Sequence, residues 1–297
     1  MAGYEILDLY PAFRSFWARA RRWPVSQQIE AFGQDYLGPW PELLRKQTSS
    51  YREEGVDWKK VARRRIFPWF DRRIPEMARA RNALLRSIPL AVQRCREELG
   101  LRFPVTFVIH VGLGCGAGWA TTFEERPAVL LGLENAAELG WTDRVTTAAL
   151  VEHEIAHLLH DTWRRKAGRG GLTGHRGPWW QLYEEGFATY CELRLGPPGK
   201  HHSGVRTRDW LSWCRRNRPR LAALFLRGSS SPESVRRFFG SWNNVEGYIE
   251  TGYFLGSEVI REWVARSSLQ DIATWTPSRM RRRAQSSLRR MASSRDL

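Results

Sequence analysis

HEIAH at residues 153–157 places His153 and His157 four residues apart, with Glu154 directly after the first histidine. On an α-helix, side chains four residues apart lie on one face, one turn apart. With this spacing two imidazoles can bind a single Zn²⁺ ion while the glutamate lies beside a water molecule at that ion. The stretch therefore predicts one zinc ion per chain.

The sequence around this stretch favours a helix. Residues 146–163 contain neither glycine nor proline, and Asp143 stands where it can cap the helix N-terminus. Apolar residues occupy much of the circumference, which predicts a buried helix whose polar side chains need partners. His160 shares the face of His153, but seven residues rise about 10 Å, too far to share one ion. We predict that His160 packs behind the ligands or in the core.

A third zinc ligand is expected from a second helix, which begins near Pro178 and runs to Tyr190. Glu184 lies on or beside its apolar stripe, whereas Glu185 lies off it, next to Gly186. A small residue there would let the helix that carries residues 153–157 approach closely. We therefore predict Glu185 as the third ligand and keep Glu184 as the alternative.

These motifs resemble those of a known group. HExxH, followed at moderate distance by a helical Glu-Gly-x-Ala-x-Tyr that starts at Glu185, resembles the gluzincin metallopeptidases. More narrowly, it resembles a family of predicted zinc-dependent proteases, described mainly in bacteria. The segment GYFLG at residues 252–256 is similar to that family's Gly-Tyr-x-x-Gly. The resemblance covers roughly residues 100–265, and it implies His153, His157 and Glu185 as zinc ligands and Glu154 as the catalytic residue.

The sequence departs from that pattern at one position. Many gluzincins have an aspartate four residues after the third ligand, which orients a zinc-bound histidine, and Thr189 stands there in this chain. Asp161 or Glu192 could take over this task.

The expected reaction is zinc-dependent hydrolysis of a peptide bond in a peptide or protein substrate. Glu154 would act as general base on the zinc-activated water and pass the proton to the leaving amine. The oxyanion needs a further donor, for which Tyr253 is the candidate and Tyr248 and His175 are the alternatives. Tyr253 could equally be an ordinary core aromatic residue of a C-terminal helix.

Strand-like sequence precedes the zinc-binding segment. Residues 103–111 and 127–133 are rich in β-branched and aromatic residues, and a glycine-rich run occupies residues 112–118 between them. No Gly-Lys-Ser/Thr follows the glycines, which argues against a phosphate loop. We predict a mostly helical α+β fold of the zincin-like type, in which a small sheet precedes the HExxH helix and could pair with an extended substrate.

Three regions are predicted along the chain. Residues 1–100 form a helical region, residues 101–265 the zincin-like catalytic domain, and residues 266–297 a basic tail rich in arginine and serine. Residues 103–123 lack charged side chains but are too polar and too broken by glycine to span a membrane. The first eight residues do not read as a secretory signal, so a cytoplasmic protein is expected.

The formal net charge is +16, and arginines cluster in the N-terminal region, after the predicted site and in the tail. Such a surface attracts polyanions, so polyanion contact through the arginine-rich surface is the second expectation. No named nucleic-acid-binding motif is present. The alternative function is a basic nucleic-acid-binding or interaction protein in which the HExxH segment is structural or degenerate.

Overall fold

The computed structural model describes residues 3–53, 55–172, 177–197, 209–231, 236–239 and 243–294. The chain divides into two compact units, Met1–Val151 and Glu152–Leu297. Helices predominate in both units, and the first contains a small mixed sheet, which confirms the predicted mostly helical α+β class. The division into a catalytic domain at 101–265 and a tail at 266–297 stays a prediction.

The sheet of the first unit has the strand order β1-β2-β4-β3. It comprises β1 (Tyr4–Asp8), β2 (Val105–His110), β3 (Gly118–Phe123) and β4 (Arg126–Gly132). Strand β2 runs parallel to β1 and β4, and β3 is antiparallel to β4. All six residues of β2 are buried, as expected for a central strand of β-branched and aromatic residues. Glu124 and Glu125 join β3 to β4 with positive φ, as a two-residue hairpin turn requires.

The strand predicted at 103–111 is thus found as β2, and that at 127–133 as β4. The prediction of a wholly helical N-terminal region needs one correction, because β1 forms the parallel edge of the sheet. Its five residues pair with β2 from about 100 residues away, so no local signal marked them as a strand.

Helices complete the first unit around an aromatic core. They are α1 (Tyr10–Ala20), α2 (Val25–Ala31), α3 (Pro41–Glu53), α4 (Trp58–Val61), α5 (Phe70–Glu98) and α6 (Leu133–Leu139). Single π-helical turns follow α2 and α4, at Phe32–Tyr36 and Ala62–Ile66. The core rings contact one another edge to face and stacked, and they are Phe13, Phe16, Trp17, Phe32, Tyr36, Phe67 and Phe70.

Helix α7 (Arg144–Lys166) carries the HEIAH segment. Its N-terminus is capped as predicted, because the Asp143 carboxylate accepts hydrogen bonds from the backbone N–H groups of Val145 and Thr146, at 2.9 and 3.0 Å. The helix continues past Val151 into the second unit, so both histidines belong to that unit.

The second unit is helical apart from a short hairpin. It contains α8 (Pro178–Leu195), α9 (Trp210–Arg216), α10 (Arg218–Gly228), the hairpin β5 (Asn244–Val245) and β6 (Tyr248–Ile249), α11 (Thr251–Val264), α12 (Leu269–Ala273) and α13 (Pro277–Ser293). The basic tail is therefore helical in α12 and α13. In α13 the apolar face is buried through Met280, Ala284 and Leu288. In the part of the chain that the structure describes, no helix has both the length and the apolar character needed to cross a membrane.

Helices α8 and α11 cross at a pair of glycines. A Cβ added to Gly186 would lie 2.4 Å from the carbonyl carbon of Gly256, and one added to Gly256 would lie 2.6 Å from the Cα of Gly186. The sequence analysis assigned Gly186 to contact with the HExxH helix, and this was wrong about the partner. The glycine serves the crossing with α11, because only two residues without side chains let these backbones touch.

A buried arginine joins α7 to the region after α12. Arg164 is 1% exposed, and its guanidinium donates to the carbonyl oxygens of Ala273 at 3.0 Å and Trp275 at 3.1 Å. The guanidinium also lies 4.7 Å from the centre of the Trp180 ring on α8. These contacts satisfy a buried cation with carbonyl dipoles and an aromatic face, and they connect the helices that carry the candidate site.

Candidate functional site

The two histidines of α7 lie side by side in the interior of the second unit. His153 is 2% and His157 8% exposed, and their Nε2 atoms are 3.1 Å apart. One helical turn separates them, so both rings project from the same face. Two such nitrogens at this distance face each other with at most one proton to share unless a cation lies between them.

Glu185 of α8 completes a three-sided cluster. Its Oε2 atom lies 3.3 Å from Nε2 of His153 and 3.5 Å from Nε2 of His157. His153, His157 and Glu185 thus form a group that could hold a metal ion. Glu184, the alternative ligand, has Oε1 4.0 Å from Nδ1 of His157, which is the other ring nitrogen. The geometry therefore favours Glu185 over Glu184.

A second carboxylate orients His153 from behind. Oε2 of the buried Glu192, one further turn along α8, lies 3.3 Å from Nδ1 of His153. A carboxylate accepts a hydrogen bond, so Nδ1 carries the proton in the neutral ring and the Nε2 lone pair points into the cluster. Of the two predicted orienting residues, Glu192 is in position. Asp161 instead accepts hydrogen bonds from Arg165 and from the backbone N–H of Leu172.

The missing aspartate of the family pattern leaves a buried gap in hydrogen bonding. Thr189 is fully buried, and within the described ranges its hydroxyl has no hydrogen-bond partner. The orienting acid has therefore moved from the position of Thr189 to Glu192, three residues later and almost one turn further along the same helix.

The cluster attracts positive charge. Burial by itself would lower the pKa of His153, but its hydrogen bonds with Glu185 and Glu192 raise that pKa to about 10. Burial would likewise lower the pKa of His157, yet the charge of Glu185 raises it above the ordinary value. For Glu185, burial acts to raise the pKa, and the charges of His157 and His153 hold it far below the ordinary value. In the absence of a metal, protons on the imidazoles thus supply the positive charge that these buried acids demand.

Tyr253 stands next to the cluster, on the first turn of α11. Its ring centre is 5.9 Å from that of His153. Burial raises the pKa of its phenol well above the ordinary value, and the charges of Glu185, Glu250 and Glu154 act in the same direction. The phenol therefore stays protonated at neutral pH and can donate a hydrogen bond.

The alternatives to Tyr253 lie elsewhere or outside the described residues. The Tyr248 hydroxyl donates to the Asp209 carboxylate at 3.0 Å, and its ring stacks on Trp213 with 3.9 Å between ring centres. This hydroxyl is committed to a surface contact of the hairpin. His175 falls outside the residues that the structure describes.

Glu154 follows His153 on α7 and is 7% exposed, so it is largely withdrawn from solvent. Its charge contributes to the raised pKa values of both ligand histidines and of Tyr253. The structure therefore gathers the predicted base, the three ligand candidates and the candidate oxyanion donor in one region of the second unit.

His160 belongs to the core behind the cluster. Its ring lies 4.8 Å from that of Tyr183 and 4.3 Å from that of Phe187, measured between ring centres. Burial lowers its pKa well below the ordinary value, so the ring is neutral. This placement agrees with the prediction that His160 is not a ligand.

The glycine-rich run of the first unit has its own internal anion. The backbone N–H groups of Gly112 and Gly114 donate to the Glu134 carboxylate at 2.6 and 3.0 Å, and that of Leu113 donates to Oε1 of Gln47 at 2.6 Å. The amides that a phosphate would need are occupied by the chain's own side chains. Glutamate 22 residues after the first glycine was the residue that the sequence analysis missed here.

Comparisons with models of known protein families, with curated proteins and with solved structures gave no match.

Proposed function

We propose that this protein is a zinc-dependent peptidase of the gluzincin type, with one Zn²⁺ held by His153, His157 and Glu185. The observation that carries the proposal is the convergence of these three ligand atoms beside the HExxH glutamate. Two adjacent histidines on one helix and a glutamate from the next are also what the resemblance implies.

The spacing of the three atoms supports zinc. Ligands about 2.0–2.1 Å from a tetrahedral zinc ion lie about 3.3 Å from one another. The observed separations of 3.1, 3.3 and 3.5 Å bracket that value. Two imidazoles and one carboxylate also make up a set that catalytic zinc sites use, with the fourth position left to water or substrate. The donors present therefore fit the ion without rearrangement.

When bound, zinc supplies a Lewis acid that makes water a nucleophile near neutral pH and polarises the scissile carbonyl. The Glu154 carboxylate accepts the proton of the attacking water and delivers it to the nitrogen of the leaving amine. The Tyr253 phenol, kept neutral by the surrounding carboxylates, donates a hydrogen bond to the oxyanion that develops on the carbonyl oxygen. Glu192 holds the His153 ring in the orientation that ligation requires.

The test begins with metal content. Purified protein should contain close to one equivalent of zinc, and His153→Ala should lose it. Glu154→Gln preserves shape and leaves the three ligand candidates intact, so it should retain zinc while peptidase activity on an unfolded protein substrate falls by about 10²- to 10⁴-fold.

Tyr253 is tested with a matched partner. Tyr253→Phe removes one candidate oxyanion donor and should lower kcat by about 10²- to 10³-fold. Tyr248→Phe removes the same hydroxyl from a residue whose partner is Asp209, so its kcat should stay at the wild-type value. Full activity in Glu154→Gln, or protein that binds no zinc, would overturn the proposal. Absence of zinc together with salt-dependent nucleic-acid binding would favour the alternative, a binding protein with a degenerate HExxH segment.

A further inference from the structure

A second concave surface lies in the unit that holds the zinc cluster, and its lining is strongly basic. Two adjoining cavities of about 760 and 340 Å³ share Arg266, Ser267, Trp275 and Arg279 in their walls. We call their combined lining the arginine groove, after its five arginines, all exposed: Arg169, Arg266, Arg279, Arg283 and Arg290.

The positive charge of the groove is largely uncompensated. Two acids line it, Glu262 and Asp271, against five arginines, which leaves a net charge of +3. Glu262 is paired with Arg290. Asp271 belongs to the cap of α12, where its carboxylate accepts a hydrogen bond from the Ser268 hydroxyl at 2.7 Å.

Three of the arginines are free to bind a ligand. Across the part of the chain that the structure describes, the guanidinium groups of Arg169, Arg266 and Arg283 have no hydrogen bond and no ion pair. Arg279 lies with its guanidinium carbon 4.5 Å from the centre of the Trp275 ring, which supports the group and leaves its N–H donors available. Free guanidiniums around a concavity mark a site for an anion that can accept several forked hydrogen bonds.

The arrangement along α13 suits an extended ligand. Arg279, Arg283 and Arg290 are four and seven residues apart, so they lie on one face of the helix, with rises of about 6 and 10 Å between them. Arg266 and Arg169 lie on other segments of the groove wall. This makes a line of cations rather than a single compact pocket for one anion.

We propose that the arginine groove binds the phosphodiester backbone of a single-stranded nucleic acid. Guanidinium forks match phosphate oxygens bidentately, and the hydroxyls of Ser267 and Ser286 add further polar groups to the wall. Trp275 is 5% exposed and is covered by Arg279, so it offers no open face for a base. Recognition therefore runs through the backbone and is independent of sequence. A flexible single strand can follow a concave groove with its phosphates, as in other single-strand-binding channels.

The experiment measures fluorescence anisotropy of a labelled oligothymidylate of about 16 nucleotides, and of the matching oligouridylate, with the full chain. The groove variant is Arg266→Ala/Arg283→Ala. The matched control is Arg282→Ala/Arg289→Ala, which removes two exposed arginines of the basic tail that do not line the groove. All four side chains are exposed, so both variants should melt at the wild-type temperature, and this is checked first.

The groove variant should bind both oligonucleotides at least tenfold more weakly than wild type, and the control within about twofold. Its salt dependence should also be shallower, by about 0.7 in the logarithmic slope for each lost phosphate contact. Binding should be the same with and without a metal chelator, which separates this result from the fate of the proposed peptidase. The proposal is overturned by equal losses in the two variants, by binding that a chelator abolishes, by tighter binding of duplex than of single strand, or by equal competition from a polyglutamate peptide.

Discussion

Glu185→Gln is the sharpest test of the zinc cluster, because its neighbour provides the control. The substitution keeps the shape of the side chain and removes the charge that lies 3.3 and 3.5 Å from the two imidazole nitrogens. Structural zinc sites with four ligands bind with about 10–16 kcal/mol, or about 3 kcal/mol for each ligand. Losing one charged ligand should therefore weaken zinc binding by about 100-fold or more, since 1.4 kcal/mol corresponds to a factor of ten.

Glu184→Gln makes the same chemical change one residue earlier. Its carboxylate is 4.0 Å from Nδ1 of His157, on the side of the ring that faces away from the shared Nε2 position. Zinc affinity should then stay within a few-fold of wild type. Both affinities are measured by competition with a fluorescent zinc chelator at constant pH. An unchanged affinity in Glu185→Gln, or a larger loss in Glu184→Gln, would refute the assignment of the third ligand.

Further outcomes are expected elsewhere in the structure. Glu192→Gln should lower zinc affinity about 10- to 100-fold in the same competition assay, because the imidazole that it orients is no longer held, whereas Asp161→Asn should leave it unchanged. Burial lowers the pKa of His110 to about 4, so the unfolded chain takes up a proton below pH 6.5 that the folded chain refuses. Stability should therefore fall by about 2 kcal/mol between pH 8 and pH 5 through this residue, and urea unfolding of His110→Asn should lack that part of the loss. Gly256→Ala would place a Cβ 2.4 Å from a backbone oxygen of α8 and should lower the free energy of unfolding by about 1–3 kcal/mol. Gly33→Ala, whose Cβ meets nothing closer than 3.6 Å, should change it by about 0.5 kcal/mol or less, and a similar loss in both would contradict the steric argument.

Local sequence was sufficient wherever the physics is local. The spacing of His153 and His157 on one helical face follows from 3.6 residues per turn, whatever surrounds the helix. The cap at Asp143 depends on hydrogen bonds over two or three residues. The buried strand β2 follows from a run of β-branched and aromatic residues. Each of these features was predicted from the sequence and is present in the structure.

The choice between neighbours required packing. Glu184 and Glu185 differ by about 100° around α8, and only the rotation of that helix decides which of them faces the imidazoles. The contact of Gly186 with Gly256 defines part of that rotation, and the two glycines are far apart in the sequence. For the same reason the orienting acid could not be assigned to Glu192 in advance.

The sequence alone determined which side chains share a face, because that depends on a helical repeat that every residue obeys. Tertiary structure alone decided which faces meet, because that depends on the sum of many weak contacts over the whole unit. Tyr253 therefore came to lie beside His153 while Tyr248 was drawn to Asp209. The arginine groove likewise exists only where segments from residue 169 to residue 290 fold against one another.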